Sequence, residues 1–418
     1  MTQLTDDCFA FGGALLPADT ALARMTEKLR VVVDSEEVAL DDALGRALAV
    51  DLVSGIDVPP HANAAVDGYA LRFADLAADG DSRLRVAGRA AAGQPFDGAC
   101  GPGEAIRIFT GAWLPAGSDS VVMQEDVRRD GDVVIVPPGL REGSNRRRAG
   151  EDIQRDAVIL ARGQILRPQD LGLAASIGQA RLTVYRALRV ALFSTGDELR
   201  EPGAALAPGA IYDSNRHILK GLLARAGAAV TDLGILADRA DAVRAALAAA
   251  AESHDLLITS GGVSTGETDH VRAAVEALGR IDSWRVAIKP GRPIALGHVA
   301  GTAFVGLPGN PVAAMICFMR FARPIIAGLG GATLPPPLLL PVAAGFAMQK
   351  KAGRREWIRA RIERDGAGRA VARSFPRQGS GILTSMVASD GLVELLEETT
   401  DIHEGDTVPF LPFSEVLR

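Results

Sequence analysis

Strands alternating with helices constrain the fold of this chain more than any other feature. Between residues 186 and 328, short apolar runs with the length of buried strands alternate with longer segments in which apolar residues recur at helical spacing. The predicted strands are 187–195, 228–236, 255–260, 282–288 and 301–308, and the predicted helices are 214–227, 241–254, 269–278 and 310–329. This alternation predicts a three-layer α/β domain with a mostly parallel sheet at 186–328.

The segments before and after this domain have sequence patterns that differ from its alternation of strands and helices. Short β-like runs between Gly, Pro and Asp turns predict an inserted β module at 51–140 and a small β-barrel domain at 336–418. The segments 1–50 and 141–185 carry helical patterns, and we expect them to form one elongated helical and mixed arm. The fold class is therefore α/β plus β, in several domains.

Composition excludes several classes of protein. A net charge of −6 over 418 residues argues against a general nucleic-acid binder, which needs a basic surface. The cysteines at 8, 100 and 317 are too far apart for a disulfide framework or a cysteine zinc site. The N-terminus lacks the basic residues of a signal peptide, and no apolar run approaches the ~18 residues of a membrane span. We expect a cytoplasmic protein with no membrane or nucleic-acid partner.

The ends of the predicted strands carry polar and glycine-rich sequence. In a parallel sheet these ends share one edge, where ligands bind. Carboxylates there suit Mg²⁺, glycine turns bring backbone amides to an oxyanion, and a lysine neutralises it. The residues that follow the strands are Thr195, Gly196 and Glu198; Asp238; Ser260, Gly261, Gly262, Ser264, Gly266 and Asp269; Lys289 and Pro290; and Pro308, Gly309, Asn310 and Pro311.

Two other interpretations of these residues compete with an anion and metal site. A single Asp after a strand is most often a helix N-cap, and Ser214 is the expected N-cap of the helix at 214–227. Residues 262–266 also read G-x-S-x-G, the pattern of a serine hydrolase with Ser264 as nucleophile. That pattern requires a helix directly after the serine, but four residues without helical pattern intervene. His298 lacks an evident acidic partner, so the anion and metal interpretation is favoured.

Several motifs, taken together, resemble the molybdopterin molybdenumtransferase family (MoeA and the gephyrin E domain). They occur in the family's order from about residue 15 to 415, so the resemblance covers nearly the whole chain. Val66, Ala149, His270 and Asp390 depart from the family pattern. The matching motifs are VPPHANAAVDGYAL at 58–71, IRIFTGAWLPAGSDSVVMQED at 106–126, REGSNRRRAGEDI at 141–153, STGDEL at 194–199, IYDSN at 211–215, SGGVSTGETD at 260–269, KPGRP at 289–293, GLPGNPVAA at 306–314 and RQGSGILTSMVASDGLVEL at 377–395.

The resemblance implies a reaction. Molybdate would be inserted into adenylylated molybdopterin, and the adenylyl bond would be hydrolysed to release AMP and molybdenum cofactor, with Mg²⁺ or another divalent ion required. Glu198, Asp238 and Asp269 would hold the ion. Four further residues are candidates for the molybdate oxyanion, and three for the pterin–phosphate end of the substrate. The oxyanion candidates are Lys289, Arg285, Arg354 and Ser380, and the pterin candidates are Asp67, Thr110 and Arg147.

The resemblance also implies an assembly. The α/β domain would be of the MogA-like type, and the family is a homodimer whose cleft includes the partner's β module. We expect contact with a molybdopterin adenylyltransferase and with molybdoenzyme acceptors. Two alternative functions remain open, the adenylyltransferase of the preceding step and a non-catalytic, gephyrin-like scaffold. The first tends to have a G-G-T-G loop, and the second could lose the strand-end carboxylates that this chain keeps.

Overall fold

The α/β domain of the computed structural model, which describes residues 15–262, 270–291 and 293–417, contains a six-stranded sheet. Its strands are β1 (Arg189–Thr195), β2 (Ala229–Leu236), β3 (Leu256–Ser260), β4 (Gly279–Arg285), β5 (Pro293–Val299) and β6 (Thr302–Leu307). The order across the sheet is β2-β1-β3-β6-β5-β4. The first four strands in this order (β2, β1, β3 and β6) run parallel to one another. Strand β5 pairs antiparallel with both β6 and β4. The predicted, mostly parallel sheet is confirmed.

Strand β5 is the one element of this sheet that the sequence pattern did not predict. It forms a hairpin with β6 through Ala300 and Gly301, which both have positive φ, the backbone of a two-residue hairpin turn. A non-glycine residue at the first turn position hides the usual Gly or Asn signal. Because β5 reverses direction, β4 again runs parallel to β6. Four strand ends and the Lys289 segment therefore reach one edge of the sheet.

Helices cover both faces of this sheet. All the predicted helices are present. The helix at Ser214–Arg225 begins one residue earlier than an N-cap at Ser214 would give, since Asp213 is the N-cap, and its carboxylate accepts from the Arg216 amide at 3.1 Å. The helical segments are Ser214–Arg225, Ala240–Ser253, His270–Leu278, Pro311–Cys317 and Arg323–Leu329, with a π-helical stretch at Phe318–Ala322 joining the last two.

The continuous helical segment from Pro311 to Leu329 is the central helix of the core. Over its most apolar window the mean hydropathy is 1.6, which by length and composition alone would suffice to cross a membrane. The expectation that no apolar run approaches that length was therefore wrong. Within the fold, 67% of that window is buried, and Phe318, Phe321 and Ile325 pack in the main core. Burial inside the protein accounts for the apolar composition.

The arm contains less helix than the sequence pattern predicted. Residues 14–50 were expected to be helical, but only Ala18–Glu27 is an α-helix, and Ser35–Ala39 is a strand paired antiparallel with Arg181–Tyr185. Here β-sheet pairing with a segment 142 to 150 residues away overrides local helix propensity. The predicted helix near residue 168 is confirmed as Pro168–Ser176, with Pro168 in its first turn. The other arm elements are a 3₁₀ turn at Leu40–Ala43 and short strands at Leu52–Val53, Asn63–Ala64, Arg146–Arg147 and Val158–Leu160.

The inserted module contains a second six-stranded sheet with a core of its own. Apolar side chains from both faces pack in two clusters whose members all lie between residues 64 and 140. Two 3₁₀ turns, Phe73–Asp75 and Gln124–Asp126, follow strands of this sheet. The strands are Gly68–Leu71, Ser82–Ala90, Glu104–Ile108, Ser120–Met123, Arg128–Asp130 and Val133–Val136.

The C-terminal domain is a closed five-stranded barrel, as predicted. Arg355–Arg364 pairs with both Ala370–Ser374 and Gly391–Leu395, and this second pairing closes the ring. Leu340–Ala344 and Thr407–Pro412 complete the barrel. Smaller elements accompany it, namely strands Met348–Gln349 and Asp401–Ile402 and helices Thr384–Val387 and Phe413–Val416.

A sixth strand outside the ring joins the barrel to the α/β domain. Ile288–Lys289, directly beyond β4, pairs in parallel with the start of Arg355–Arg364. Beneath this pairing, Trp357, Leu392 and Leu411 of the barrel belong to the same buried cluster as the core of the α/β domain. The barrel and the α/β domain therefore share one hydrophobic core.

Candidate functional site

Two glycine turns meet at the carboxyl edge of the sheet. The amide of Gly261 donates to the carbonyl of Leu307 at 2.9 Å, and a Cβ on Gly309 would lie 3.7 Å from the Cα of Gly261. Gly262 has φ +63°, and a Cβ there would lie 2.8 Å from Oγ1 of Thr195. Only glycine fits this position, because a side chain would meet both a left-handed backbone and a close neighbour.

Asn215 ties these two turns together. Its Nδ2 donates to Oγ of Ser260 at 2.7 Å and to the carbonyl of Gly309 at 2.6 Å. Ser260 in turn donates to the carbonyl of Pro308 at 3.0 Å. Asn215 belongs to a motif that the sequence analysis noted without giving this residue a role. Its contacts join residues 45 and 94 positions away, which the sequence does not reveal.

Two carboxylates lie beyond neighbouring strands of the same edge. Glu198, after β1, is exposed and folded over Gly196, whose added Cβ would meet its Oε2 at 2.6 Å. Asp238 follows β2 and is half-buried. Within residues 15–262, 270–291 and 293–417 neither carboxylate has a hydrogen-bond or ion-pair partner. Two unpaired carboxylates at one edge are hard oxygen donors of the kind that Mg²⁺ accepts, so this donor set fits a divalent ion.

Part of the predicted site lies outside the described residues. Ser264, Gly266 and Asp269 belong to the stretch 263–269, so the nucleophile and metal-ligand interpretations of these residues stay predictions. Among the residues that the structure does describe, no group of three or more His, Cys, Asp or Glu side chains is close enough to hold a metal.

The cationic side of the site is built around a buried acid. Glu356, only 1% exposed, accepts from Nζ of Lys289 at 3.0 Å and from Nε of Arg354 at 2.8 Å. Lys289 keeps 48% of its side chain exposed, so its ammonium group is both held and accessible. The structure thus brings together Lys289 and Arg354, which the sequence analysis named, through Glu356, which it did not.

The remaining predicted residues of this edge take several places. The Ser380 carbonyl accepts from the Val312 amide at 3.1 Å, which brings the barrel loop to the start of the helix that Asn310 and Pro311 begin. Pro290 is buried beside Lys289. Arg285, the last residue of β4, has an exposed side chain, and its carbonyl accepts from the Leu16 amide at 3.0 Å.

A third group of predicted residues lies in the inserted module and its connection to the arm. Asp67 accepts from the hydroxyl and the amide of Thr110, at 2.7 and 2.8 Å, and these hydrogen bonds lower the pKa of Asp67 from its ordinary 3.8. Arg147 lies opposite Asn63 in a two-residue strand pair and is exposed. The bonds that hold Asp67 are formed with module residues, so this group is a separate cluster in one chain.

The arrangement defines a class of protein. A parallel α/β sheet presents glycine turns, carboxylates and a lysine at one edge, and known families share this combination. Residues 191–328 match the family described as a probable molybdopterin binding domain. Residues 16–178 match the MoeA N-terminal region (domain I and II), and residues 341–413 match the MoeA C-terminal region (domain IV). The class is a multidomain molybdopterin-binding protein.

Individual relatives identify the family to which this chain belongs. The molybdopterin molybdenumtransferase of Haemophilus influenzae is 39% identical over 406 residues, covering 96% of this chain and all of the relative. That of Bacillus subtilis is 30% identical and covers 96% and 94%. The crystal structure of the molybdopterin biosynthesis MoeA protein from Pyrococcus horikoshii OT3 superposes with a TM-score of 0.82 at 29% identity, over 96% of this chain and 100% of that one. This chain belongs to the molybdopterin molybdenumtransferase family, which confirms the resemblance.

Proposed function

We propose that this protein is an enzyme of molybdenum cofactor biosynthesis that inserts molybdate into adenylylated molybdopterin. The same process hydrolyses the adenylyl bond and releases AMP and molybdenum cofactor. The observation that carries the proposal is the pair of glycine turns that Asn215 ties together at the carboxyl edge of the sheet, because glycine turns at such an edge let a pyrophosphate approach the backbone closely. The full-length relatives named molybdopterin molybdenumtransferase favour this function over the adenylyltransferase and scaffold alternatives.

The residues at this edge of the sheet have different roles in the proposed reaction. Lys289 and Arg354 neutralise and orient the molybdate oxyanion, with Ser380 and Arg285 at its margins. Ser260, Gly261, Gly262 and Gly309 hold the pyrophosphate and exclude water from one side. Glu198, Asp238 and Asp269 hold Mg²⁺. A bound divalent ion would offset the negative charge of the pyrophosphate.

The assembly belongs to the same proposal. The protein is a cytoplasmic homodimer, and Asp67, Thr110 and Arg147 of one chain face the sheet edge of the other, where they bind the pterin–phosphate end. A molybdopterin adenylyltransferase delivers the substrate, and molybdoenzymes receive the product. Support comes from the exposed position of Arg147 and from the bonds that fix Asp67 within the module.

The test is a defined reaction with purified protein, adenylylated molybdopterin, molybdate and Mg²⁺, in which AMP and cofactor are measured. The wild-type protein should release both. Asp238→Asn should fold normally and lose AMP release, because the amide keeps the shape but not the charge. Asp241→Asn, which removes an exposed carboxylate paired with Arg239, is the matched control and should be fully active. A wild-type protein that releases no AMP would refute the function.

A further inference from the structure

Trp113 differs from the other tryptophans of the chain in its surroundings. Trp284 and Trp357 are 2% and 1% exposed and belong to the main core, whereas Trp113 is 49% exposed. It lies on the surface of the inserted module, and its ring stacks on His61 at a centroid distance of 4.0 Å and an angle of 13°. The imidazole holds the indole in one orientation, so this exposed aromatic surface is fixed rather than free to rotate.

The backbone around Trp113 places a cation on the same face. Asn63 pairs with Arg147 on one side and bridges to Trp113 on the other, both antiparallel. Directly opposed residues in antiparallel pairs point to the same face of a sheet. Two strand spacings separate Arg147 from Trp113, which is about 10 Å between their Cα atoms. From Cα atoms at this separation, the long side chain of Arg147 can reach a phosphate joined to a ring that stacks on the indole of Trp113.

The same loop connects this surface to Asp67. Thr110 holds the Asp67 carboxylate, and three residues later the chain reaches Trp113. The turn between them is fixed, because the Ala112 amide donates to the Phe109 carbonyl and the Ala64 amide to the Ala112 carbonyl, at 2.9 and 3.0 Å. Asp67, Arg147 and Trp113 therefore have fixed relative positions around the short strand Asn63–Ala64.

We propose that the stacked pair of Trp113 and His61 is a platform for the planar ring of a phosphate-bearing ligand, with Arg147 binding the phosphate. The ligand is a fused nitrogen heterocycle joined to phosphate. Both the adenylyl and the pterin halves of the substrate have this chemistry, so the inference rests on the proposed function and deepens it. Stacking on an indole accepts any such ring, and the arginine adds charge.

The first experiment uses the emission of Trp113, which dominates solvent-accessible tryptophan fluorescence because Trp284 and Trp357 are buried. AMP or 6-hydroxymethylpterin, added to the wild-type protein, should quench this emission, and Trp113→Phe should lose the response. Acrylamide, a neutral quencher, should reach Trp113 in the free protein. Failure of acrylamide to quench would mean that a second copy of the chain covers this surface, and the proposal would be overturned.

The second experiment is calorimetric titration with AMP, with 6-hydroxymethylpterin and with pyrophosphate, which has no ring. Trp113→Ala should weaken binding of at least one ring ligand by about 5- to 150-fold and leave pyrophosphate binding unchanged. The affected ligand identifies which half of the substrate stacks here. Val158→Ala, a truncation of an exposed aliphatic residue on the arm, is the matched control.

Equal affinity of Trp113→Ala and wild type for both ring ligands would refute the platform. That result would leave the proposed function intact, because AMP release from the adenylylated substrate is measured separately. Conversely, ring binding that Trp113→Ala weakens, together with a wild-type protein that turns nothing over, would support the platform and refute the function.

Discussion

Glu356 is the residue that organises the cationic side of the site. Its carboxylate is buried and forms ion pairs with Lys289 and Arg354, so one negative charge orients two positive ones. A buried charge is tolerated only when it is paired and hydrogen-bonded, and both its oxygens are used here. The two cations thus face the sheet edge with a net single positive charge among the three groups.

We expect Glu356→Gln to raise the KM for molybdate about tenfold or more, because Lys289 and Arg354 lose the partner that aligns them. The free energy of unfolding should fall by about 1–3 kcal/mol, less than for a fully buried pair, since Lys289 is half-exposed. Steady-state kinetics and urea unfolding measure the two effects. Glu363→Gln is the control, because Glu363 also contacts two arginines, Arg361 and Arg373, but is 37% exposed. An unchanged KM in Glu356→Gln would contradict the role.

Thr110 sets the protonation of Asp67. The Thr110 hydroxyl is the largest cause of the lowered pKa of Asp67, and the backbone amide of Thr110 adds to it. Thr110→Val removes the hydroxyl and keeps the amide, so the pKa of Asp67 should rise toward 3.8. Since a carboxylate with a lowered pKa stays ionised to lower pH, the variant should lose the charge on Asp67 at a higher pH than wild type. Carbon-13 NMR titration of aspartate carboxyls measures this directly.

The control for that titration is Thr302→Val, whose hydroxyl donates to the Ala251 carbonyl in the α/β domain, and which should leave the pKa of Asp67 unchanged. Identical Asp67 titration in Thr110→Val and wild type would show that the Thr110 hydroxyl does not lower the pKa of Asp67.

For single residues, the sequence predicted which residue types lie at the site better than it predicted which residues they contact. Lys289, Arg354 and the strand-end carboxylates could be named because each follows a recognisable strand or motif. The roles of Glu356 and Asn215 could not be predicted. Glu356 contacts Lys289, which is 67 positions away, and Asn215 contacts Gly309, which is 94 positions away. Such contacts follow from barrel register and sheet order, which are not local properties of the sequence.

The element that matters most for the proposed chemistry is the turn after β3. Gly262 combines a left-handed backbone with a close neighbour, whereas most loop glycines have only the first. Gly262→Ala should reduce AMP release more than tenfold with an unchanged circular dichroism spectrum, because a Cβ would push the turn away from Thr195. Gly209→Ala isolates the backbone effect, since Gly209 has φ +83° and nothing within 4 Å. It should cost only about 1 kcal/mol of stability and leave turnover unchanged. Equal activity of Gly262→Ala and Gly209→Ala would show that the close approach of Gly262 to Thr195 is not needed for AMP release.

Helices and strands could be predicted where the hydrophobic periodicity was strong. The prediction failed where pairing with a distant segment determined the local structure. The helices of the α/β domain were all predicted, because each has apolar residues at helical spacing. Ser35–Ala39 was not predicted as a strand, because its pairing partner Arg181–Tyr185 is distant in sequence. β5 was missed because it begins at a proline and ends at a turn whose first residue, Ala300, is neither glycine nor asparagine.

For the whole molecule, the proposed dimer makes a sharp prediction about shared sites. Asp67→Ala and Asp269→Ala proteins should each be inactive, and refolding them together should restore up to about a quarter of wild-type activity. Roughly half of the dimers would be mixed, and each mixed dimer would have one intact site. Native mass spectrometry confirms that mixed dimers form.

The control pairs Asp238→Ala with Asp269→Ala, which the proposal assigns to the same subunit's part of the site. Each site of that mixed dimer carries one lesion, so no activity should return. Recovery in the control, or none with Asp67→Ala, would refute the shared cleft. Dimerisation could not be read from residue patterns alone and entered only through the resemblance, because one chain's sequence does not reveal which surfaces meet.

The strand Ile288–Lys289 has a consequence for the order in which the protein is made. Its partner in the barrel, Glu356, is synthesised 67 residues later, and the barrel closes only with Thr407–Pro412 near the end of the chain. At typical translation speeds this interval is on the order of 10 s. For most of that time the nascent chain contains both glycine turns but no fixed cation beside them. Messenger RNAs truncated before the codons of the last strand should therefore yield polypeptides that contain the glycine turns but lack the closed barrel that fixes Lys289 and Arg354.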